Sequence, residues 1–209
     1  MNRLLRRTAA FFFSLSLSAA VSAADDGIAQ LQRFIAQAGS AEGHFEQIVV
    51  SGAARRPQLS SGSFAFERPG RFRWLVDAPY PQLLVSDGGR LWIWDEDLNQ
   101  VTVKVLDDAL GSTPAAILAG EGELEEAFEL VDEGVAEDLV WVRATPRQAD
   151  ASFEFMRMGL SGDMLMRMEL RDHFGQTTTI DFVSIQLGVQ RAPEFFRFVP
   201  PEGADVIGD

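Results

Sequence analysis

Phe64-Ala65-Phe66-Glu67-Arg68-Pro69-Gly70-Arg71-Phe72-Arg73-Trp74 reads as a strand, a Pro-Gly turn and a second strand. Strand side chains alternate between faces, so Phe64, Phe66 and Arg68 share one side. Beyond the turn, Phe72 and Trp74 share a side, and Arg71 and Arg73 lie opposite them. The arrangement that buries most aromatic surface puts the four rings inward and the two later arginines outward. Arg68 is then a guanidinium on the apolar side at a strand end, where burial is costly unless the group is hydrogen-bonded.

The period of two continues on both sides of this hairpin. His44–Val50, Ser60–Glu67, Gln82–Ser86, Arg90–Trp94 and Gln100–Val105 read as strands joined by short turns. Asp87-Gly88-Gly89 is a tight hairpin turn. Further strands are expected at Ala127–Val131, Leu139–Thr145, Ser152–Met158, Met164–Asp172 and Gln176–Val189, and Phe195–Val199 is a last apolar run before a polar tail. The count is about ten or eleven strands. Periodicity cannot assign the inward face of Leu91–Trp94, because both faces are apolar.

Two stretches depart from this pattern. Ile28, Leu31, Phe34, Ile35 and Ala38 recur at three- and four-residue steps, with acidic residues before them and Gly39 after, which is an amphipathic helix. Ser112 or Thr113, Pro114 and Gly120 frame a helix of about two turns. A helix that short is unstable alone and must lie on something apolar. The fold class is mainly β, one domain with short helices set against an open sheet.

Arg3, Arg6 and Arg7, an apolar run from Ala9 to Ala20 and small residues ending at Ala23 and Ala24 form an export signal, residues 1–24, too short to span a bilayer. Cleavage after Ala23 or Ala24 leaves one domain over residues 25–209. There is no cysteine, so neither a disulfide, nor thiolate chemistry, nor a lipidated amino terminus is expected. The net charge of −13 falls to −16 once the three leader arginines are discounted. That charge argues against nucleic acid and against stable insertion into anionic membranes.

Catalysis finds little support. With two histidines and no cysteine, neither a metal site nor a cofactor is expected, and no nucleophile elbow, phosphate loop or dinucleotide fingerprint appears. Asp95-Glu96-Asp97 and Asp107-Asp108 lack the spacing of a calcium loop and read as solvated turns. The informative excess is apolar: 16 Phe, 4 Trp and 6 Met, with Met164, Met166, Met168 and Leu170 on one face of a strand. Such a face serves a packed core, or a surface that accepts flexible hydrocarbon. The pattern does not choose between them.

At Phe64–Trp74, Leu84-Val85-Ser86-Asp87-Gly88, Leu91-Trp92, Thr113-Pro114 and Phe196–Gly203 the sequence resembles the LolA family of periplasmic outer-membrane lipoprotein carriers. The resemblance implies an incomplete antiparallel barrel, with short helices forming a lid over a hydrophobic cavity. It implies a monomeric, non-enzymatic chaperone that takes acylated lipoproteins from an inner-membrane ABC transporter and passes them to an outer-membrane receptor. The family's lid latch falls on Arg68 and its cargo-accepting phenylalanine on Phe72. The lid helices fall on Ile28, Leu31 and Ile35, and on Thr113, Pro114, Ala115, Ile117 and Leu118. The cavity lining is expected at Phe64, Phe66, Trp74, Leu83, Val85, Val101, Val103, Met164, Met166 and Met168. On this reading lid carbonyls meet Arg68, and the alternative is a carboxylate at the strand end. Competing functions on the same half-barrel are a glycolipid-binding or envelope-stress-sensing protein, and a lipid-acting enzyme.

Overall fold

The structure is a computed structural model, and it describes residues 26–51, 56–106, 118–120, 124–148 and 151–208. The expected export signal, residues 1–24, lies outside the described residues. Twelve strands form one sheet: β1 (Ser40–Val50), β2 (Gln58–Glu67), β3 (Arg71–Ala78), β4 (Gln82–Asp87), β5 (Arg90–Asp95), β6 (Gln100–Val105), β7 (Phe128–Ala136), β8 (Leu139–Pro146), β9 (Phe153–Ser161), β10 (Met164–Asp172), β11 (Thr177–Leu187) and β12 (Asp205–Gly208). The order β12-β6-β5-β4-β3-β2-β1-β11-β10-β9-β8-β7 leaves β12 and β7 at the two edges among the described residues, so the sheet is unclosed. Every pair is antiparallel except β12 with β6. The sequence count missed β12, a four-residue strand in the stretch read as a polar tail.

The β2–β3 hairpin has the expected register. Phe64 lies opposite Trp74 and Phe66 opposite Phe72, and all four are buried. Trp74 stacks on Phe45 of β1 with centroids 4.1 Å apart, and Phe64 meets Phe182 of β11 edge-on at 5.4 Å. Two strand glycines allow these rings to lie close against the sheet. A Cβ at Gly62 would stand 1.9 Å from the Leu75 carbonyl oxygen and 2.8 Å from the Phe45 ring, and one at Gly43 would stand 1.8 Å from the Ser184 carbonyl oxygen.

Helix α1 (Gly27–Gln37) begins where Asp26 accepts a hydrogen bond from the Ile28 N–H at 3.1 Å. It ends with the Ala38 N–H donating to the Phe34 carbonyl at 2.8 Å, one residue before the expected glycine cap. Its Leu31 and Phe34 join the same core as the rings of β1–β3 and the inward residues of β8–β11. A single turn, α2 (Leu124–Ala127), precedes β7.

Two groups of lining expectations require correction. Leu83 and Val85 pair with Leu75 and Arg73, whereas their neighbour Leu84 pairs with Trp74. Val101 and Val103 pair with Trp94 and Trp92, which pair in turn with Leu83 and Val85. Paired residues share a face, so Leu83, Val85, Val101 and Val103 lie on the outer side of the sheet. They are buried there because the carboxyl-terminal segment crosses that side. A 3-10 turn (Pro193–Phe196) packs on β3 and β4, and Phe198 lies 6.1 Å from Trp94. Strands buried on both faces carry no alternation to read. Inward on β5 are Leu91 and Ile93.

The second correction is in β10. Leu165 faces Leu160 and Arg167 faces Gly159, so Met166 is an extra residue in a bulge. The bulge shifts the phase of the strand. Leu165, Met168 and Leu170 enter the core, Met164 is half-buried, and Met166 is 40% exposed.

Candidate functional site

The inner face of the sheet is continuous apolar surface from Leu91 through the β1–β3 aromatics to Met168, Met158 and Val142. It is covered rather than open. Helix α1 lies over β7–β10, with Leu31 buried and Ile28 and Ile35 partly so. A second piece of cover is Leu118-Ala119, helical and fully packed into the same core. Thr113, Pro114, Ala115 and Ile117 lie outside the described residues.

Polar contacts hold α1 at three points along its length. Asp132 of β7 accepts the Gly27 N–H at 2.6 Å, Gln32 donates to Glu125 at 2.6 Å, and Arg33 pairs with Asp163 at 2.8 Å. The first is partly buried and meets the positive end of the helix, while the other two are exposed. A Cβ at Gly27 would come within 2.9 Å of Val140 and Val142, so the helix sits close on β8. Nothing in the sequence pointed to Asp132, because it lies 105 residues from the helix it anchors. Gln30 is 2% exposed, and its carboxamide oxygen has no partner among the described residues.

Arg68 sits where the two pieces of cover meet the sheet. Its backbone N–H donates to the Gly39 carbonyl, just past α1, at 2.9 Å. Two residues on, the Gly70 N–H donates to the Ala119 carbonyl at 2.7 Å. The β2–β3 turn therefore stitches both covering segments to the sheet through its backbone. The guanidinium lies 5.9 Å from the Phe66 centroid, and its Nε is buried with no hydrogen-bond partner among the described residues. Burial pushes its pKa below the usual arginine value. None of the ion pairs among the described residues includes Arg68, so the carboxylate alternative finds no support there. Phe72, one strand over, is 1% exposed in the core.

Elsewhere charged side chains pair with one another, as Arg143 and Arg157 do with Glu133 and Arg167 does with Asp181. Among the described residues no group of three or more histidines or carboxylates is placed to hold a metal ion. His44 Nδ1 lies 3.3 Å from Ser184 Oγ on the exposed outer face, and His173 bonds the Ala151 carbonyl at 3.0 Å. Asp95 closes its turn by accepting the Leu98 N–H. No described helix is long and apolar enough to cross a membrane.

A family model, "Outer membrane lipoprotein carrier protein LolA", matches residues 36–199. The chain belongs to the LolA family. Among its relatives, the outer-membrane lipoprotein carrier protein of Dechloromonas aromatica is 45% identical over 202 residues, covering 97% of this chain and 95% of the relative. The protein of the same name from Nitrosospira multiformis is 40% identical over 208 residues, covering 99% of this chain and all of the relative. An uncharacterized conserved protein from Thermus thermophilus has the same fold, with a TM-score of 0.51 at 10% identity over 86% of this chain and 97% of the other. The unclosed sheet with an apolar inner face is thus the framework of a LolA-family lipoprotein carrier.

Proposed function

We propose that this chain is a periplasmic carrier working by binding alone, as a monomer. It accepts acylated lipoproteins from an inner-membrane ABC transporter, shields their acyl chains against the inner face of the sheet, and yields them to an outer-membrane receptor. The observation that carries the reading is the covered apolar face: hydrocarbon-compatible surface beneath two short segments that a few polar contacts hold down. The export signal supports the periplasmic location.

Magnitudes favour such a cover. Burying one sixteen-carbon chain is worth about 12 kcal/mol at roughly 0.8 kcal/mol per methylene. Three chains fully buried would exceed the ceiling of noncovalent affinity, about 18–21 kcal/mol. Cargo held so tightly would not be released. Displacing α1 and the Leu118-Ala119 segment offsets part of that energy, which keeps the exchange reversible. Arg68 acts as the latch of the empty state, its guanidinium meeting lid carbonyls, and Phe72 takes part in accepting the lipoprotein cargo. Phe64, Phe66, Trp74 and Met168 line the acyl-chain surface.

The test is Arg68→Leu. Leucine suits the apolar surroundings, so the fold and lipoprotein binding are expected to persist while onward transfer to the receptor slows. Transfer at the native rate in a reconstituted release and delivery assay refutes the latch.

A further inference from the structure

A pocket of about 490 Å³ opens on the outer face of the sheet, on the side opposite the inner aromatics. Its floor is β11, β1, β2 and β3, where Glu42, His44, Ser63, Arg73, Leu75 and Ser184 all face outward by their pairing. Phe195 of the 3-10 turn and Arg191 form its wall. Both guanidiniums crowd one ring: Arg73 lies 5.5 Å and Arg191 5.4 Å from the Phe195 centroid. Arg191 donates to Glu42 at 2.8 Å. Arg73 has no carboxylate partner among the described ion pairs, although it is partly buried, which lowers its pKa. Two cations against one carboxylate leave a single uncompensated positive charge, in a chain whose net charge is −13.

We propose that this outer pocket binds one carboxylate carried on an apolar body, with Arg73 as its anchoring cation. One net positive charge matches a monoanion, and a phosphate dianion would face Glu42 as well. The planar fork of a guanidinium fits a carboxylate with two parallel hydrogen bonds. Phe195, Leu75 and Ala65 supply apolar walls for the rest of the ligand. The volume lies within the roughly 300–1,000 Å³ typical of organic-ligand sites, far more than a bare ion fills. Two sources share this chemistry, a free medium-chain acid and an acidic side chain within an apolar peptide. The site is on the other side of the sheet from the acyl-chain surface, so it stands or falls independently of the carrier reading.

The test is a nitrogen-15 NMR titration of the mature chain with hexanoate, with the peptide acetyl-Leu-Glu-Leu-amide, and with inorganic phosphate. At least one carboxylate is expected to saturate, with the largest shifts at Ser63, Ser184 and Phe195, and the tighter of the two identifies the source. Arg73→Gln is expected to weaken that binding about tenfold or more. Arg73→Lys, which keeps the charge and loses the fork, is expected to fall between. The proposal is overturned if neither carboxylate saturates, if the shifts centre on the interior residues Phe72 and Trp74, if phosphate binds as tightly, or if the arginine variants bind like the parent.

Discussion

Replacing Asp132 by alanine removes the acceptor of the first N–H in α1, a partly buried hydrogen bond of 2.6 Å. A hydrogen bond to a charged group contributes about 1.5–3 kcal/mol, and a negative charge at a helix amino terminus adds roughly 0.3–1 kcal/mol. Asp26 still caps the adjacent Ile28 N–H, so we take the low end, about 2 kcal/mol. If α1 lifts from the sheet as part of opening, that loss makes the open state about thirtyfold more populated. An environment-sensitive apolar dye that binds only the uncovered face should then bind Asp132→Ala about thirtyfold more tightly, since apparent affinity scales with the competent fraction. Asp132→Asn keeps an acceptor without the charge and should give a smaller gain, about fivefold. Arg33→Ala breaks an exposed pair worth at most about 1 kcal/mol and should change dye binding less than Asp132→Ala does. Dye affinity for Asp132→Ala within twofold of the parent, with urea unfolding showing an intact fold, would refute the idea that α1 is part of the gate.

Three further outcomes follow from the packing and charge. Leu165→Ala should lower unfolding free energy by about 2–5 kcal/mol and Met166→Ala by less than about 1 kcal/mol; equal urea midpoint shifts would contradict the bulge at Met166. Gly62→Ala, whose new Cβ would press on the Leu75 carbonyl, should destabilise by about 3 kcal/mol or more in the same experiment, and a shift under about 1 kcal/mol would mean the strands separate easily there. Burial alone would raise the pKa of Glu133, yet hydrogen bonds and charge from Arg157 and Arg143 hold it below the ordinary value of 4.5. A depressed carboxylate stabilises the fold above its unfolded-state pKa, and that contribution is lost as pH falls through the folded value. Glu133→Gln should therefore flatten the decline of stability below about pH 4.5, and superimposed acid limbs would speak against it.

Local alternation was enough to place the β2–β3 hairpin and its four inward rings, because one face of that ribbon is apolar and the other carries Arg71 and Arg73. The three- and four-residue spacing likewise placed α1 to within a residue at its end. The face of β4–β6 was not legible. There the partner of the outer side is a segment about a hundred residues later, and residues such as Leu83 and Leu84 are equally apolar. Met166 shows a second limit: a bulge depends on how two strands pair, and one strand's composition does not reveal it. At the candidate site, the apolar excess and the isolated Arg68 could be read directly. The Gly39 and Ala119 carbonyls that pin its turn, the Asp132 anchor and the Arg73 pocket exist only once distant segments are brought together.

Helix α1 rests on β7–β10, and β1 takes its second neighbour from β11. A polypeptide emerging from its amino terminus therefore has no seat for α1 until most of its length has appeared. Until then Phe64 lacks the Phe182 ring of β11 against which it packs, and the apolar inner face stays open to the surroundings. Folding of this kind is slow and exposed to aggregation, so a newly arrived chain would itself be a client for chaperones before it could act as one.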